Sequence, residues 1–462
     1  MHTKPNVKKG MLSQLFAKPE RAMALGFFTV IVLGAILLLL PISSTDNQSI
    51  GIRKALFTST SAVCVTGLSI IDVVAVLSGF GQGVLLGLIQ IGGLGFMVFT
   101  TFIMITLGKR ISLRNRLLIR ESMNQSNLSG MVRLTLAYFI LALAIEITGA
   151  LILMTKLIPK YGLEQGIWFS VFHSVSAFCN AGFDLFGNYE SLYTFSQDPV
   201  VLLTIITLIV LGGLGFAVLI ECVHHKFRFK PLSVHAKLVL ISTAILIILG
   251  TALIFLFEYD NTKTLGHGEF SKFDMLLNSL FQSVTFRTAG FSTLDQAALT
   301  DSSKLLGIVF MFIGASPAST GGGVKTVTFA LLVLMVVSVI RGRANVQIFK
   351  KKINTETTRR SVAITFIALS LVIFSTVVIS VILHDSNYLA IDILFETTSA
   401  FSTTGLSSIF TPRLSPIVHW LLMPLMYFGR VGPLTLALAF ASKLENRAAN
   451  RINYPEEKIM IG

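Results

Sequence analysis

Residues 394–406 read Leu394-Phe395-Glu396-Thr397-Thr398-Ser399-Ala400-Phe401-Ser402-Thr403-Thr404-Gly405-Leu406, and three other stretches carry the same pattern. They are Leu56 to Leu68 (LFTSTSAVCVTGL), Val171 to Phe183 (VFHSVSAFCNAGF) and Leu280 to Phe291 (LFQSVTFRTAGF). The glycines that end the strips, Gly67, Gly182, Gly290 and Gly405, lie 115, 108 and 115 residues apart. One such match is chance; four at near-constant spacing are an internal repeat. Each strip has the same surroundings. A long apolar run precedes it, near 22–42, 131–157, 236–257 and 361–383. A stretch of about twelve residues, too short to span a bilayer, leads into it. A second apolar run follows, near 82–107, 200–222, 304–341 and 415–441.

The unit therefore reads helix, half-helix, re-entrant loop, helix. Four copies predict an all-α polytopic membrane protein of four pseudo-repeats around a central pore, with eight spanning helices and four pore helices. The repeats are 22–107, 131–222, 236–341 and 361–441, flanked by a cytoplasmic N-terminus at 1–21 and a cytoplasmic tail at 442–462. Composition agrees: 13% of the 462 residues are charged, 53% are hydrophobic and 36 are Phe. A soluble chain carries about 25% charged residues, and disorder needs low hydrophobicity with high charge. Three widely spaced Cys exclude a disulfide framework and a zinc cluster. The first apolar run is long enough to span and no cleavage site follows it, so it reads as a retained helix.

Charge gives the orientation. The net charge is +14, from 37 Lys+Arg and 23 Asp+Glu. The N-terminus, 108–133, 221–237, 341–360 and 442–462 hold 26 Lys+Arg and 7 Asp+Glu, and the opposite loops hold 8 and 15. The basic set is cytoplasmic, with both termini inside the plasma membrane, and nucleic acid is not needed to explain it. Glu146, Arg287, Lys325 and Arg430 fall at membrane depth.

Re-entrant backbone survives in a membrane only where protein buries it or it lines a water-filled path. The four loops must then meet on one axis. Each half-helix turns its negative C-terminal end toward that axis, which favours a cation. Each glycine can take positive φ, so that successive carbonyls face the axis and replace a cation's hydration shell.

These strips resemble the Trk/Ktr/HKT potassium transporter superfamily, most closely the Ktr-type ion-conducting subunit, over nearly the whole chain. The resemblance implies potassium uptake, with sodium dependence left open, through a filter made of Cys64, Val65, Thr66 and Gly67; Cys179, Asn180, Ala181 and Gly182; Arg287, Thr288, Ala289 and Gly290; and Ser402, Thr403, Thr404 and Gly405. A serine in the first strip marks sodium-selective plant members, and Gly67 stands there. Gly314-Ala315-Ser316-Pro317-Ala318-Ser319-Thr320-Gly321-Gly322-Gly323-Val324-Lys325-Thr326 resembles the family's intramembrane gating loop, and Arg430 its positive charge below the filter. The run from Tyr454 to Gly462 resembles the Ktr C-terminus. The resemblance further implies a homodimer and a cytosolic ring of nucleotide-binding RCK-type regulatory subunits, with no cofactor on this chain and potassium, or sodium, as substrate.

The gating loop has a physical basis of its own. Thirteen small or polar residues at membrane depth, broken by Pro317 and three glycines, must line a cavity. The milder breaks at 92–95 and 212–215 read as close packing through small residues. Gly321 to Thr326 is not a Walker loop, since Val324 separates glycine from lysine. Arg287 points off the axis, Arg430 holds the loop through its carbonyls, and Glu146 takes a buried hydrogen bond. Cys64 and Cys179 are small buried residues, and His224 and His225 are solvated. No catalytic constellation is present, and four near-identical strips argue against a membrane enzyme, whose site needs different residues in different roles. A sodium conductor of the same fold is the alternative. Arg341, Arg343, Lys350, Lys351, Lys352 and the 108–120 loop would dock the regulatory ring, while anionic lipid headgroups would take part of the basic charge. Tyr454, Ile459, Met460 and Ile461 would pack at the dimer interface.

Overall fold

Long uncharged runs become helices because lipid offers their backbone groups no partner outside the segment. The structure, a computed structural model, describes residues 19–95, 98–99, 131–266, 268–343 and 345–440. The chain runs through α1 (Pro19–Leu39), α2 (Ile52–Cys64), α3 (Gly79–Leu94), α4 (Met131–Tyr161), α5 (Leu163–Phe178), α6 (Pro199–Leu214), α7 (Phe216–His224) and α8 (Val234–Glu258). It continues through α9 (Lys272–Thr285), α10 (Asp301–Ile313), α11 (Thr326–Ile340), the antiparallel pair β1 (Gln347–Ile348) and β2 (Lys351–Lys352), α12 (Thr355–Ile382), α13 (Ala390–Ser402), α14 (Pro416–Val431) and α15 (Pro433–Phe440). The expected docking loop at 108–120 and the tail at 442–462 lie outside the described residues, as does most of the N-terminus.

Helices α1, α4, α8 and α12 are long and apolar enough to cross a bilayer. Each is followed by a short helix, α2, α5, α9 or α13, that packs along it. A serine hydroxyl makes this joint in the first three: Ser59 donates to the Ile31 carbonyl (2.7 Å), Ser174 to Glu146 (2.6 Å) and Ser283 to Ile247 (3.0 Å). In the fourth, Thr397 and Thr376 hydroxyls lie 2.7 Å apart. Helix α9 starts on a capping box, Ser271 with Asp274, which satisfies its first free N–H groups. Helix α3 packs on α2 and α5, α6 on α5 and α9, α10 on α13, and α14 on α13 and back on α2, so the arrangement closes into a circle.

The first, second and fourth closing runs are not the continuous helices expected from the sequence, while the third is interrupted where the sequence places its loop. Helices α6 and α7 meet at 99°. Helix α3 ends at Leu94, α14 gives way to α15 at Gly432, and residues 314–325 separate α10 from α11. The close packing expected at the glycines is there as well: a Cβ on Gly93 would lie 2.5 Å from Cys179 Sγ, and Gly92 and Gly212 abut the carbonyls of Val63 and Phe178. The bends come from the residue that follows. Gly95, Gly215, Lys325 and Gly432 share one backbone conformation, with φ of 83°, 92°, 86° and 94° and ψ of 132°, 136°, 132° and 129°. Glycine adopts it freely and no other residue does so cheaply.

Three carboxylates and one lysine counted with the loops by sequence are buried in helices. Lys304 on α10 pairs with Asp392 on α13 at 2.8 Å. Glu258 and Glu396 are buried as well. A count of charge sign cannot see such depth.

Candidate functional site

The short helices α2, α5, α9 and α13 bring the four glycine strips together at their C-terminal ends. A Cβ added to Gly67 would sit 2.5 Å from the Ala181 carbonyl oxygen, and one on Gly182 would sit 2.8 Å from that of Ala289. One on Gly290 would strike the Thr404 carbonyl, and one on Gly405 that of Thr66. The strips thus form a closed ring in chain order, each glycine against its neighbour's preceding carbonyl, with no room for a side chain.

The backbone repeats around the ring. The glycines have φ of 86°, 68°, 86° and 93°. Two residues earlier, Val65, Asn180, Thr288 and Thr403 have φ of 58°, 57°, 69° and 54°. The residue between is not left-handed in any strip. Each strip thus sets two left-handed residues on either side of one of ordinary hand. Such a conformation costs a β-branched residue about 1–3 kcal/mol and persists only where the surroundings impose it. Helix-end hydrogen bonds impose it here. Thr66 N donates to Ser61 O (2.7 Å), Ala181 N to Ser176 O (2.8 Å) and Thr404 N to Ser399 O (2.8 Å), a Schellman-type ending without its usual glycine. The third strip ends differently, Ala289 N donating to Thr285 O (3.0 Å).

The hydroxyls of Thr66, Thr288, Ser402, Thr403 and Thr404 and the amide nitrogen of Asn180 are buried here without a hydrogen-bond partner. Buried polar atoms are rarely left unpaired, and these gather on the four strips that form the ring.

The ring separates two cavities of opposite character. One, of about 520 Å³, is lined by all four ring glycines and by Asp72, Asp184 and Asp295. The other, of about 200 Å³, is lined by Gly95, Gly321, Lys325 and Arg430. Residues 314–325 lie across the second face. Ser316 N and Thr320 N donate to Gly213 O (3.1 Å) and Gly212 O (3.3 Å), and Phe216 N to Ala318 O (3.2 Å). Ser319 Oγ donates to Ser316 O (2.6 Å), and Ser316 Oγ meets Thr326 Oγ1 at 3.1 Å. Thr320 Oγ1 reaches Phe178 O and Asn180 Oδ1, both at 3.2 Å. Gly321 abuts the Thr288 side chain, and Gly322 that of Thr403 and the Ser402 carbonyl. Gly314 and Gly323 lie against each other at the loop's neck, where Ala315 N donates to Gly322 O (3.3 Å). Pro317 takes part through its carbonyl, against which Gly215 packs.

Two cations tie the loop down. Lys325 Nζ donates to Gly321 O (2.6 Å) and lies 3.4 Å from Gly322 O. Arg430 donates to Thr320 O and to Gly92 O and Gly93 O. Arg430 therefore bridges the loop to the end of α3. Aligned at the bends, the four runs read Gly92-Gly93-Leu94-Gly95, Gly212-Gly213-Leu214-Gly215, Gly322-Gly323-Val324-Lys325 and Gly429-Arg430-Val431-Gly432. Both cations stand where the other runs have glycine. That register is in the sequence, but without the bends the glycines read only as packing residues.

Arg287, Glu146, Cys64 and Cys179 are all buried. Arg287 Nη2 donates to Thr243 Oγ1 on α8 (3.3 Å). Gln90 Nε2 donates to both Glu146 carboxyl oxygens (3.1 Å). Cys179 Sγ lies 3.5 Å from Gln90 Oε1, and Cys64 is buried.

The model of the family described as "TrkH: Cation transport protein" matches residues 13–452. The chain belongs to this TrkH family. Across 444 residues it is 39% identical to the Ktr system potassium uptake protein B of Bacillus subtilis (strain 168), covering 96% of this chain and 97% of that protein. It is 37% identical to the potassium/sodium uptake protein NtpJ of Enterococcus hirae, covering 96% and 97%. The crystal structure of the potassium transporter TrkH from Vibrio parahaemolyticus matches with a TM-score of 0.72 over 94% of this chain and 86% of that one. Its 18% identity speaks for the fold alone. As a TrkH-family member with four long apolar helices, the chain is a membrane-embedded cation transporter.

Proposed function

We propose that this TrkH-family chain takes up potassium through the ring of Gly67, Gly182, Gly290 and Gly405, which acts as a selectivity filter of four pseudo-repeats. The observation that carries the reading is the ring itself, with left-handed backbone at the same two places in every strip. The relatives named as potassium uptake proteins support the substrate. Four long helices and four bent closing runs make eight crossings around the ring. The acidic cavity is the outer vestibule, where carboxylates concentrate cations. The basic cavity is the inner one, where Lys325 and Arg430 oppose a cation leaving the filter while residues 314–326 close the path. An inside-negative potential supplies about 2.3 kcal/mol per 100 mV to each entering cation. The test is labelled potassium uptake into liposomes at a set potential, with and without sodium. Uptake driven by potential alone is expected, and none at any potential refutes the reading. Sodium stimulation is a second reading, favoured by the relative named a potassium/sodium uptake protein.

The vestibule gives a pH prediction. Burial pushes the Asp184 carboxyl up to about 6, the Phe186 N–H holds it back and Asp72 adds repulsion. Lowering the outer pH from about 7.5 to about 5 neutralises it and thins the negative field. The KM for potassium should rise about two- to threefold, and Asp184→Asn should abolish that dependence. Uptake measured across this range checks it.

The basic hairpin is the proposed docking face for a cytosolic regulatory ring on a membrane homodimer, with both termini in the cytoplasm; the relatives' name as parts of a Ktr system supports a partner. Lys350, Lys351 and Lys352 are exposed there. Reversing their charge should abolish capture of purified chain by the ring at moderate salt. Wild-type capture would exclude this face.

A further inference from the structure

The third residue of each strip is polar and fully buried: Thr58, His173, Gln282 and Glu396. Each follows a fully buried Phe: Phe57, Phe172, Phe281 and Phe395. A buried polar side chain is costly unless it is hydrogen-bonded. Three of the four bond to the chain beyond the ring glycine, and each does so with different chemistry. His173 donates from Nδ1 to the Phe169 carbonyl (2.6 Å), which leaves Nε2 to accept the Leu185 N–H (3.2 Å) and fixes a neutral ring. Gln282 and Gln296 exchange amide hydrogen bonds at 2.6 and 3.2 Å, and Gln296 is anchored in turn to Leu294 O (2.7 Å). Glu396 Oε1 accepts from Thr411 Oγ1 at 2.6 Å. The bonds bridge 12, 14 and 15 positions of chain, and each bridged stretch contains the ring glycine. Thr58 Oγ1 has no partner, and the first loop is tied locally, Ser69 Oγ donating to Ile71 O (2.6 Å).

We propose that His173, Gln282 and Glu396 are positioning residues that staple three of the four filter strips from behind and hold their strained carbonyl geometry, leaving the first strip unstapled. The proposal rests on the filter reading above. An imidazole, an amide and a carboxyl serve at equivalent places, so what they share is a hydrogen bond across the glycine and not a charge. The staple closes each strip into a loop, and a closed loop has fewer alternatives to its strained conformation.

The experiment measures potassium-to-sodium selectivity of the full chain in liposomes, at matched membrane incorporation. Glu396→Leu and Thr411→Val remove the same bond from either end. Each should lower the selectivity ratio about tenfold, the scale of one buried hydrogen bond left unmade. The double variant should be no worse than either single one. Glu396→Gln keeps an acceptor for Thr411 and should recover most of the ratio lost in Glu396→Leu. Should Glu396→Leu fail to insert, Thr411→Val carries the test alone, since its residue lies outside the short helix. Lower incorporation with an unchanged ratio in the inserted protein would mean a merely structural role and would overturn the proposal. Wild-type ratios in both single variants, alongside a lowered ratio in Gly67→Ser, would overturn the staple and leave the filter standing. A wild-type ratio in Gly67→Ser as well would overturn both.

Discussion

Lys325→Ala should raise ion flux about fivefold above Lys325→Gly, and both should exceed the wild type. Both variants remove the ammonium group and its bond to the Gly321 carbonyl, a charge-assisted contact of about 1.5–3 kcal/mol. They differ in the backbone. Lys325 has φ of 86°, where the corresponding residues of the other runs are Gly95, Gly215 and Gly432. Alanine keeps the strain of that conformation in the closed loop, whereas glycine relieves about 1 kcal/mol of it. If the open state is the minor one, flux follows its population, and 1 kcal/mol is about a factor of five. Equal flux in the two variants would show that the strain is not coupled to opening. Arg430→Ala acts in the same direction, because it frees Thr320 from the end of α3. Deleting residues within 316–323 should also raise flux, and unchanged flux in a well-inserted deletion would sink the gate. Labelled-ion flux per inserted molecule measures all of these.

Gly67→Ser should lower the potassium-to-sodium ratio by about tenfold or more. The new Cβ would lie 2.5 Å from the Ala181 carbonyl oxygen, inside any permissible contact, and φ of 86° is itself hostile to serine. The Ala181 carbonyl must move, and with it one ligand ring. A shift worth about 1.4 kcal/mol in the preference for one cation is tenfold. An unchanged ratio would mean that the ring at Gly67 does not discriminate between cations.

The four strips were legible in the sequence because the ring needs nearly the same residues four times, and so were the four long helices, whose composition lipid dictates. The bends were not. A glycine in an apolar run reads equally well as a packing residue, and Gly92 and Gly93 do pack closely while Gly95 turns the chain. Left-handed Val65 and Thr403 could not be read, because β-branched residues in that conformation are set by tertiary bonds and not by preference. Glu396, Asp392 and Lys304 were counted with the outer loops because sign alone carries no depth. Arg430's hold on the loop was legible in outline, since a cation at membrane depth must find oxygen partners. That one of its partners is the end of α3 required the fold.

The most direct measurement locates the ion. Crystals of the protein soaked in thallium or rubidium should show anomalous density on the axis of the glycine ring, between the carbonyls of Thr66, Ala181, Ala289 and Thr404. Density confined to other places, such as the Glu146–Gln90 pair, with none on the axis, would contradict the account.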